Sequence, residues 1–462
     1  MKLRKWQAES VASALNHFDA GNRHFLCLAT PGAGKTVMAA ELAAQLYEQD
    51  KIDFILCFSP SIIVSQGISF TFSKRFDARF DGVIGAVGCS YTYQNILFFK
   101  DDFWQLLKNN RVLVVFDEVH HCAGSSLNDA NAWGEEIIQN IQHQAAYTLA
   151  LTGTPWRSDK LPIVMANYRD EDKQIHCDYS YGLKEAVQDG VCRSPKLVLI
   201  DNEKLSITDD DSQYKTFSSL KELLNESMVS YQAVITNYQV MRHILESACN
   251  KLIEIRMSNP NAAALAVASS VKHAVEVIRI LREEFQQSAV LVTYKQAKPS
   301  ETINQFRSSN TQWIVSVGMV SEGTDIPRLQ VCCHLSRVKT ELYFRQVLGR
   351  ILRVNDAMNQ EAWLYTFAEP KLSEFALRVE QDLPEASVII NELIDYVDSQ
   401  SIENKEVLSS KLDLEWGDFS SELLANLKES VKSSSNDQTD MLSLSFEIHG
   451  MFREQVIAAF DL

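Results

Sequence analysis

The sequence predicts an α/β fold of two domains, each a parallel sheet flanked by helices, and three observations predict it. From His24 to Pro155, short β-rich apolar runs alternate with helical stretches. A second series of the same kind begins at Ala263. With 462 residues and 46% hydrophobic side chains, the chain is long enough for more than one core.

The first series reads HFLCLAT (24–30), DFILCFS (53–59), RVLVVFD (111–117) and YTLALTGT (147–154). Each run ends at polar residues, and open α/β sheets bind ligands at the carboxyl ends of their strands. The second series reads AALAVAS (263–269), AVLVTY (289–294), QWIVSVGM (312–319), LQVCCHLS (329–336) and AWLYTFA (362–368). Between them, the segment 200–258 opens with Asp201 and Glu203, carries Asp209-Asp210-Asp211, and then reads as helix to Asn259-Pro260, which suits a linker or a helical insertion. Beyond Pro370 the text is helical and acidic, interrupted by SSSNDQTD (433–440) before an amphipathic end at 441–462. The expected boundaries are therefore 1–199 and 259–370 for the α/β domains, 200–258 for the helical linker, and 371–462 for an acidic helical C-terminal region.

A formal charge of −16 argues against a nucleic-acid partner when taken over the whole chain, because phosphate binding leaves a basic footprint. The charge is concentrated, however: 371–462 holds 7 Lys/Arg against 19 Asp/Glu, so the body before it is nearly balanced and has room for a basic groove. Nine cysteines without a C-x-x-C pair indicate reduced thiols. The start Met1–Trp6 is polar and no long apolar run follows, so neither a signal peptide nor a membrane span is expected, and a cytoplasmic location is.

The first strand runs into ATPGAGKT (29–36) and then a helix. Backbone N–H groups of a Gly-rich turn at a helix N-terminus bind anionic phosphate. Lys35 is placed to reach the β/γ phosphates and Thr36 to offer a hydroxyl to magnesium. The position usually held by a first glycine is Ala29. RVLVVFDEVHH (111–121) delivers Asp117 and Glu118 at the end of another strand, the first suited to holding magnesium and the second to polarising an attacking water. His120-His121-Cys122 is a poor zinc set, since adjacent residues rarely converge on one ion.

With those motifs in order, the chain resembles the DExH helicases and translocases of superfamily 2 over about residues 1–370, nearest to the helicase portions of type I and type III restriction enzymes and related DNA repair translocases. The resemblance implies two RecA-like P-loop NTPase domains, ATP and Mg2+ as ligands, and DNA as partner. LRKWQ (3–7) looks like the motif whose Gln7 contacts adenine, and Pro31, Gly32, Ala33, Gly34, Lys35 and Thr36 would bind the nucleotide. FSPSIIVSQ (58–66), YTYQN (91–95) and VASSVKHA (267–274) resemble strand-contacting motifs, making Ser59, Pro60, Thr92, Gln94 and Ser269 candidates for phosphate contact. Such residues also cap helices and close turns. His120 of DEVH and Thr152 and Thr154 of LTGTP (151–155) would couple the ATP site to domain movement, and YSYGLKEAVQDGVCRSP (179–195) looks like the segment leaving the first domain.

VSVGMVSEGTDIP (315–327) resembles the motif in which Gly323 and Asp325 approach the nucleotide and Thr324 the strand. FRQVLGRILR (344–353) matches Q-x-x-G-R-x-x-R, from which Gln346, Arg350 and Arg353 would face the γ-phosphate. Phosphoryl transfer needs positive charge on its transition state, and an arginine finger is worth about 10³–10⁵ in rate. Trp104, Trp156 and Trp313 are candidates for stacking on bases, against the ordinary place of a lone tryptophan in a core. Three readings stand beside a DNA translocase. One is an RNA helicase and another a regulatory ATPase subunit of a larger complex, its protein partner bound through the acidic C-terminal region. The third, a self-contained nuclease, lacks a nuclease cluster, and the first motif begins at residue 3.

Overall fold

The structure is a computed structural model that describes residues 2–126, 130–159, 161–168, 175–208, 214–296, 298–318, 324–381 and 445–460. Gly323, the acidic run Asp209-Asp210-Asp211 and most of the acidic C-terminal region, including 433–440, lie outside the described residues. The described chain divides into two compact units, one with the residues up to Ala29 and Gly34–Ser180, the other with Thr30–Ala33 and, from Tyr181 on, the rest.

In chain order the first part reads α1 (Lys5–Asp19), β1 (His24–Ala29), α2 (Lys35–Glu48), β2 (Phe54–Ser59), α3 (Ile62–Phe76), β3 (Gly88–Thr92), α4 (Tyr93–Ile96) and α5 (Asp101–Asn109). It continues with β4 (Val112–Asp117), α6 (Ala132–Asn140), β5 (Tyr147–Thr152), β6 (Asn167–Tyr168), β7 (Ile175–His176) and β8 (Tyr179–Tyr181). The sheet order is β3-β2-β4-β5-β1-β8, and β1, β2, β3, β4 and β5 pair in parallel. All six residues of β4 are buried, because helices cover both faces of a parallel sheet. All four expected strands of this domain form. β3 was not among them, since GCSYT has a glycine, a serine and no long apolar run to mark it.

The second unit begins with α7 (Leu183–Gln188), β9 (Ser194–Asn202), β10 (Leu205–Thr208), β11 (Tyr214–Phe217), α8 (Leu220–Glu226), α9 (Tyr231–Thr236) and α10 (Tyr238–Ser258). There follow β12 (Ala263–Ala268), α11 (Val271–Arg279), β13 (Ala289–Thr293), α12 (Pro299–Ser308), β14 (Trp313–Val317) and β15 (Leu329–Leu335). It closes with α13 (Glu341–Leu348), β16 (Glu361–Phe367), α14 (Pro370–Leu377), β17 (Ser445–Ile448) and β18 (Phe452–Ala458). The main sheet has the order β13-β14-β12-β15-β16-β9-β18, parallel except for the last pair, and β11-β10-β17 form a small second sheet. The five expected strands all form.

Three features differ from the sequence expectation. β9, expected at the end of the first domain, pairs in parallel with β16 and so belongs to the second sheet. The segment 200–258 is helical from Leu220 on, as expected, but not before it. It opens with strands, and α10 buries Val240, Met241, Ile244, Leu245, Ala248, Cys249, Leu252 and Ile255 as one stripe. That stripe lies against β15, where Cys333 Sγ meets the Ile244 carbonyl at 3.9 Å. Third, the chain end is not helical: β18 pairs antiparallel with β9 from Phe452–Asn202 to Ala458–Lys196 and covers an open sheet edge. FREQVIA lacks a clean apolar alternation because most of β18 is exposed, so backbone pairing sets its conformation. Trp104, Trp156 and Trp313 are all buried, the last completely, and none presents a stacking face.

All nine cysteines are free thiols, eight of them buried. Among the described residues no helix is long and apolar enough to cross a membrane.

Two core histidines of the second unit give it an acid-sensitive stability. Burial pushes the ring pKa of His334 in β15 and of His273 in α11 down to about 4. The unfolded chain takes up these protons near pH 6.5 and the folded chain does not, so stability is complete above about pH 6.5 and falls as pH drops toward 4. Each ring costs about 2 kcal/mol at pH 5 relative to pH 8. His334→Leu removes one of them, and urea unfolding at the two pH values should show a smaller gap than in the parent protein. An unchanged gap would remove His334 from the acid response.

Candidate functional site

The phosphate-loop geometry follows from two glycines at left-handed φ, Gly32 at 87° and Gly34 at 94°. Gly34 is the residue before α2, and a Cβ there would lie 2.8 Å from Gln7 Nε2, so both backbone and space demand glycine. Ala29, by contrast, is the buried last residue of β1 and has no such demand, which accounts for the departure from the usual glycine. Pro31, Gly32, Ala33 and Gly34 thus form the β1–α2 turn, and Lys35 and Thr36 open the helix.

Gln7, the expected adenine contact, is held by two backbone bonds. It is 3% exposed, its Nε2 donates to the Gly34 carbonyl at 3.0 Å, and its Oε1 accepts from Arg4 N–H at 2.8 Å. Its amide therefore closes the start of α1 and braces the phosphate turn. Arg4, which the sequence reading did not single out, is the N-cap residue of that helix.

Lys35 is the centre of the site. Its Nζ donates to the Ala29 carbonyl at 3.2 Å and sits 3.2 Å from Glu118 Oε1. Glu118 is held at φ 52° and ψ 54°, a left-handed conformation that costs a non-glycine residue on the order of 1–3 kcal/mol and persists only where surroundings enforce it. Here the enforcing contacts are Lys35 on one oxygen and, on the other, Gly153 N–H at 3.3 Å, Thr152 Oγ1 at 3.5 Å and His120 Nδ1 at 3.5 Å. Burial alone would raise the Glu118 pKa, but the Lys35 ammonium, then His120 and the Gly153 N–H, outweigh it and hold the carboxyl below its usual range. Asp117 goes the other way: burial first, then the neighbouring Glu118 charge, push its pKa up against the pull of Lys35. Two adjacent carboxylates thus differ in proton affinity. Glu118 is the stable anion, and Asp117 the one that a cation would most relieve.

The coupling candidates join this network. His120 Nδ1 lies 3.0 Å from Thr152 Oγ1, which accepts from Thr154 N–H at 3.0 Å, and both threonines are buried. Tyr93 and Arg157 complete it. The buried Tyr93 hydroxyl donates to the Asp117 carbonyl at 2.8 Å, and Arg157 donates to the His120 carbonyl at 2.5 Å while forking onto Asp159. Arg157 was conspicuous in sequence only as the neighbour of LTGTP, and nothing in YTYQN marked Tyr93.

Most nucleic-acid candidates are occupied within their own unit. Ser59 is fully buried and donates to the carbonyls of Ser61 at 3.3 Å and Tyr91 at 3.4 Å; Pro60 is buried beside it. Thr92 is 7% exposed and caps α4 through Asn95 Oδ1 at 2.9 Å. Gln94 is half-buried on α4. Ser269 is bound to Gln232 Nε2 at 2.9 Å and His273 Nδ1 at 2.8 Å, and Thr324 is buried. The Ser59 and Thr92 hydroxyls are thus engaged in closing turns within their own unit, while Pro60 and Thr324 are buried.

In the second unit Gln346 is buried on α13, which ends at Leu348. Arg350 and Arg353 therefore do not share one helix face. Arg350 lies in the following turn and donates to the Thr324 carbonyl at 2.8 Å. Arg353 is extended, bridges Cys192 through the backbone, and pairs with the exposed carboxylate of Asp325.

Residues 1–157 match the family described as type III restriction enzyme, res subunit, and residues 246–355 match the helicase conserved C-terminal domain. These two matches bear out the resemblance to the superfamily 2 helicases. The chain is 27% identical over 392 residues to an uncharacterized protein of Mycobacterium leprae, covering 82% of this chain and 64% of that one. It is 23% identical over 393 residues to the DNA 3'-5' translocase XPB2 of Sulfurisphaera tokodaii, covering 77% and 80%. A solved fragment of a candidate HsdR subunit of a type I restriction enzyme from Vibrio vulnificus has a TM-score of 0.55 at 18% identity, covering 81% of this chain and 65% of that one. That likeness establishes the two-domain RecA-like fold. The chain thus spans somewhat less than two thirds of the mycobacterial relative.

Proposed function

We propose that this chain is an ATP-dependent DNA helicase or translocase of superfamily 2, in which ATP turnover alternates the grip on a nucleic-acid strand. The observation that carries the reading is the Lys35–Glu118 pair at 3.2 Å, a phosphate-loop lysine held on the carboxylate that follows a buried aspartate. Phosphate oxygens would compete with Glu118 for the ammonium, and the carboxylate so released becomes the base for water. Glu118 is already below the usual carboxylate range, so it enters that step ionised. The Glu118–Thr152–His120 contacts tie its position to Thr154 and Arg157, which is how a change at the phosphates would reach the rest of the unit.

The oxygen donors Asp117 and Thr36 suit a hard divalent cation such as Mg2+, and the raised Asp117 pKa marks a buried carboxyl that a positive ion would stabilise. When bound, that ion would neutralise phosphate charge. Gln346, Arg350 and Arg353 are the residues through which we propose the second unit takes part in turnover. DNA is favoured over RNA by the name of the XPB2 relative, and a cytoplasmic setting accords with the reading.

Lys35→Ala should lower kcat/KM for ATP by about 10²-fold, because it removes the charge that both grips phosphate and positions Glu118. ATPase assays with duplex DNA, forked DNA, single strands and RNA would test the reading. Equal turnover in parent and variant would take the phosphate role from Lys35, and stimulation by RNA alone would replace DNA as substrate.

A further inference from the structure

Arg193 is 0% exposed, yet its guanidinium has no acidic partner among the described residues. Its Nη1 donates to the carbonyls of Leu329 at 2.6 Å and Ile351 at 3.2 Å, its Nη2 to that of Pro327 at 2.9 Å, and its Nε to Gln360 Oε1 at 3.3 Å. Its own backbone N–H donates to the Leu352 carbonyl at 2.7 Å, and the preceding Cys192 bridges Arg353. Apart from Gln360, these acceptors fall on two segments. Pro327 and Leu329 follow Asp325, while Ile351 and Leu352 lie between Arg350 and Arg353.

A buried charge met only by carbonyls is an expensive way to fill space, and a well-packed apolar side chain of similar volume generally does so at lower cost. Stability alone therefore gives no reason for a guanidinium here. What a planar fork of five N–H donors offers is simultaneous, fixed-angle bonding to two separate stretches of backbone. Burial lowers the Arg193 pKa to about 10, which leaves the group charged at neutral pH and its donors intact.

We infer that Arg193 is a positioning residue that holds the Asp325 loop and the Arg350–Arg353 turn in one fixed arrangement, so that the arginines are presented ready for turnover. The inference rests on the function proposed above. It accounts for the burial of a residue in the 179–195 segment that forms no part of the phosphate site. Arg353–Asp325 pairing and the Arg350 bond to the Thr324 carbonyl then join two loops that Arg193 has already brought into register.

Hydrogen exchange on the unmodified protein tests the structural half without any variant. The amides of Leu329, Arg350 and Ile351 should share one opening rate within about tenfold. Arg193→Lys should raise exchange at all three together while β12 and β14 keep their protection. In the same variant, kcat for nucleic-acid-stimulated ATP turnover should fall about tenfold with KM within about twofold, since misplacement of a group acting in the transition state spares ground-state binding. In an Arg353→Ala background the Arg193→Lys loss should be clearly smaller than in the parent, because part of it acts through Arg353. Unlinked exchange of the two segments, or full additivity of the two substitutions, would overturn the inference. Linked exchange in a parent protein that turns over no ATP with any nucleic acid would instead overturn the proposed function and leave Arg193 as a positioner of the loops.

Discussion

Glu118→Gln lowers nucleic-acid-stimulated ATP turnover by about 10³-fold or more while nucleotide binding survives. Glutamine has the same shape and still offers an oxygen to Gly153 N–H, so the left-handed backbone at 118 keeps much of its support. What it loses is the ability to take a proton and the charge that Lys35 now neutralises. Removing that charge releases Lys35 for phosphate, so affinity for ATP should hold or rise as turnover collapses. Steady-state turnover together with equilibrium binding of a fluorescent ATP analogue separates the two effects. Turnover within tenfold of the parent would take water activation away from Glu118.

Arg353→Ala lowers kcat by about 10³-fold, in the range by which a transition-state arginine accelerates phosphoryl transfer. Its present partner, Asp325, keeps most of its side chain in solvent, so breaking the pair leaves no buried charge and should cost little stability. Arg350→Ala differs, because Arg350 is 9% exposed and its loss also strips the bond to the Thr324 carbonyl. That variant should lose on the order of 1–3 kcal/mol of stability as well as turnover. Arg353→Lys should not rescue the rate, since an ammonium lacks the planar fork. Thermal unfolding beside single-turnover ATP hydrolysis reads both quantities. A 353 variant that unfolds early, or one that hydrolyses at near-parental rate, would show that Arg353 is a structural residue.

The parts legible in the chain were those in which local chemistry and function coincide. GAGKT after an apolar run needs glycines for its left-handed turn and a lysine for phosphate, and the same residues form that turn in the structure. The strand ending in Asp117 is a continuous apolar run because both sheet faces are covered. Ser59 and Thr92 are ambiguous for the opposite reason. A serine or threonine at a strand end reads the same whether it meets a ligand or closes a turn, and only the positions of the Tyr91 carbonyl and Asn95 separate the two.

The order of motifs along the chain was enough to indicate two α/β domains and to single out the glycine turn before α2, because strand periodicity and turn chemistry are local properties that residues carry with them. Four matters needed the third dimension. Arg350 and Arg353 look like one helix face, but the helix stops at Leu348 and sends them into different backbone conformations. β18 looks like helix because its apolar pattern is weak, and becomes strand because β9 offers it a row of backbone partners. Tyr93 looks like filler and holds the carbonyl of Asp117. Arg193 looks like one more surface cation and is buried among carbonyls that meet only after the chain has folded. In each case the deciding interaction joins residues far apart in sequence or depends on where a neighbouring backbone ends, and no local pattern encodes that.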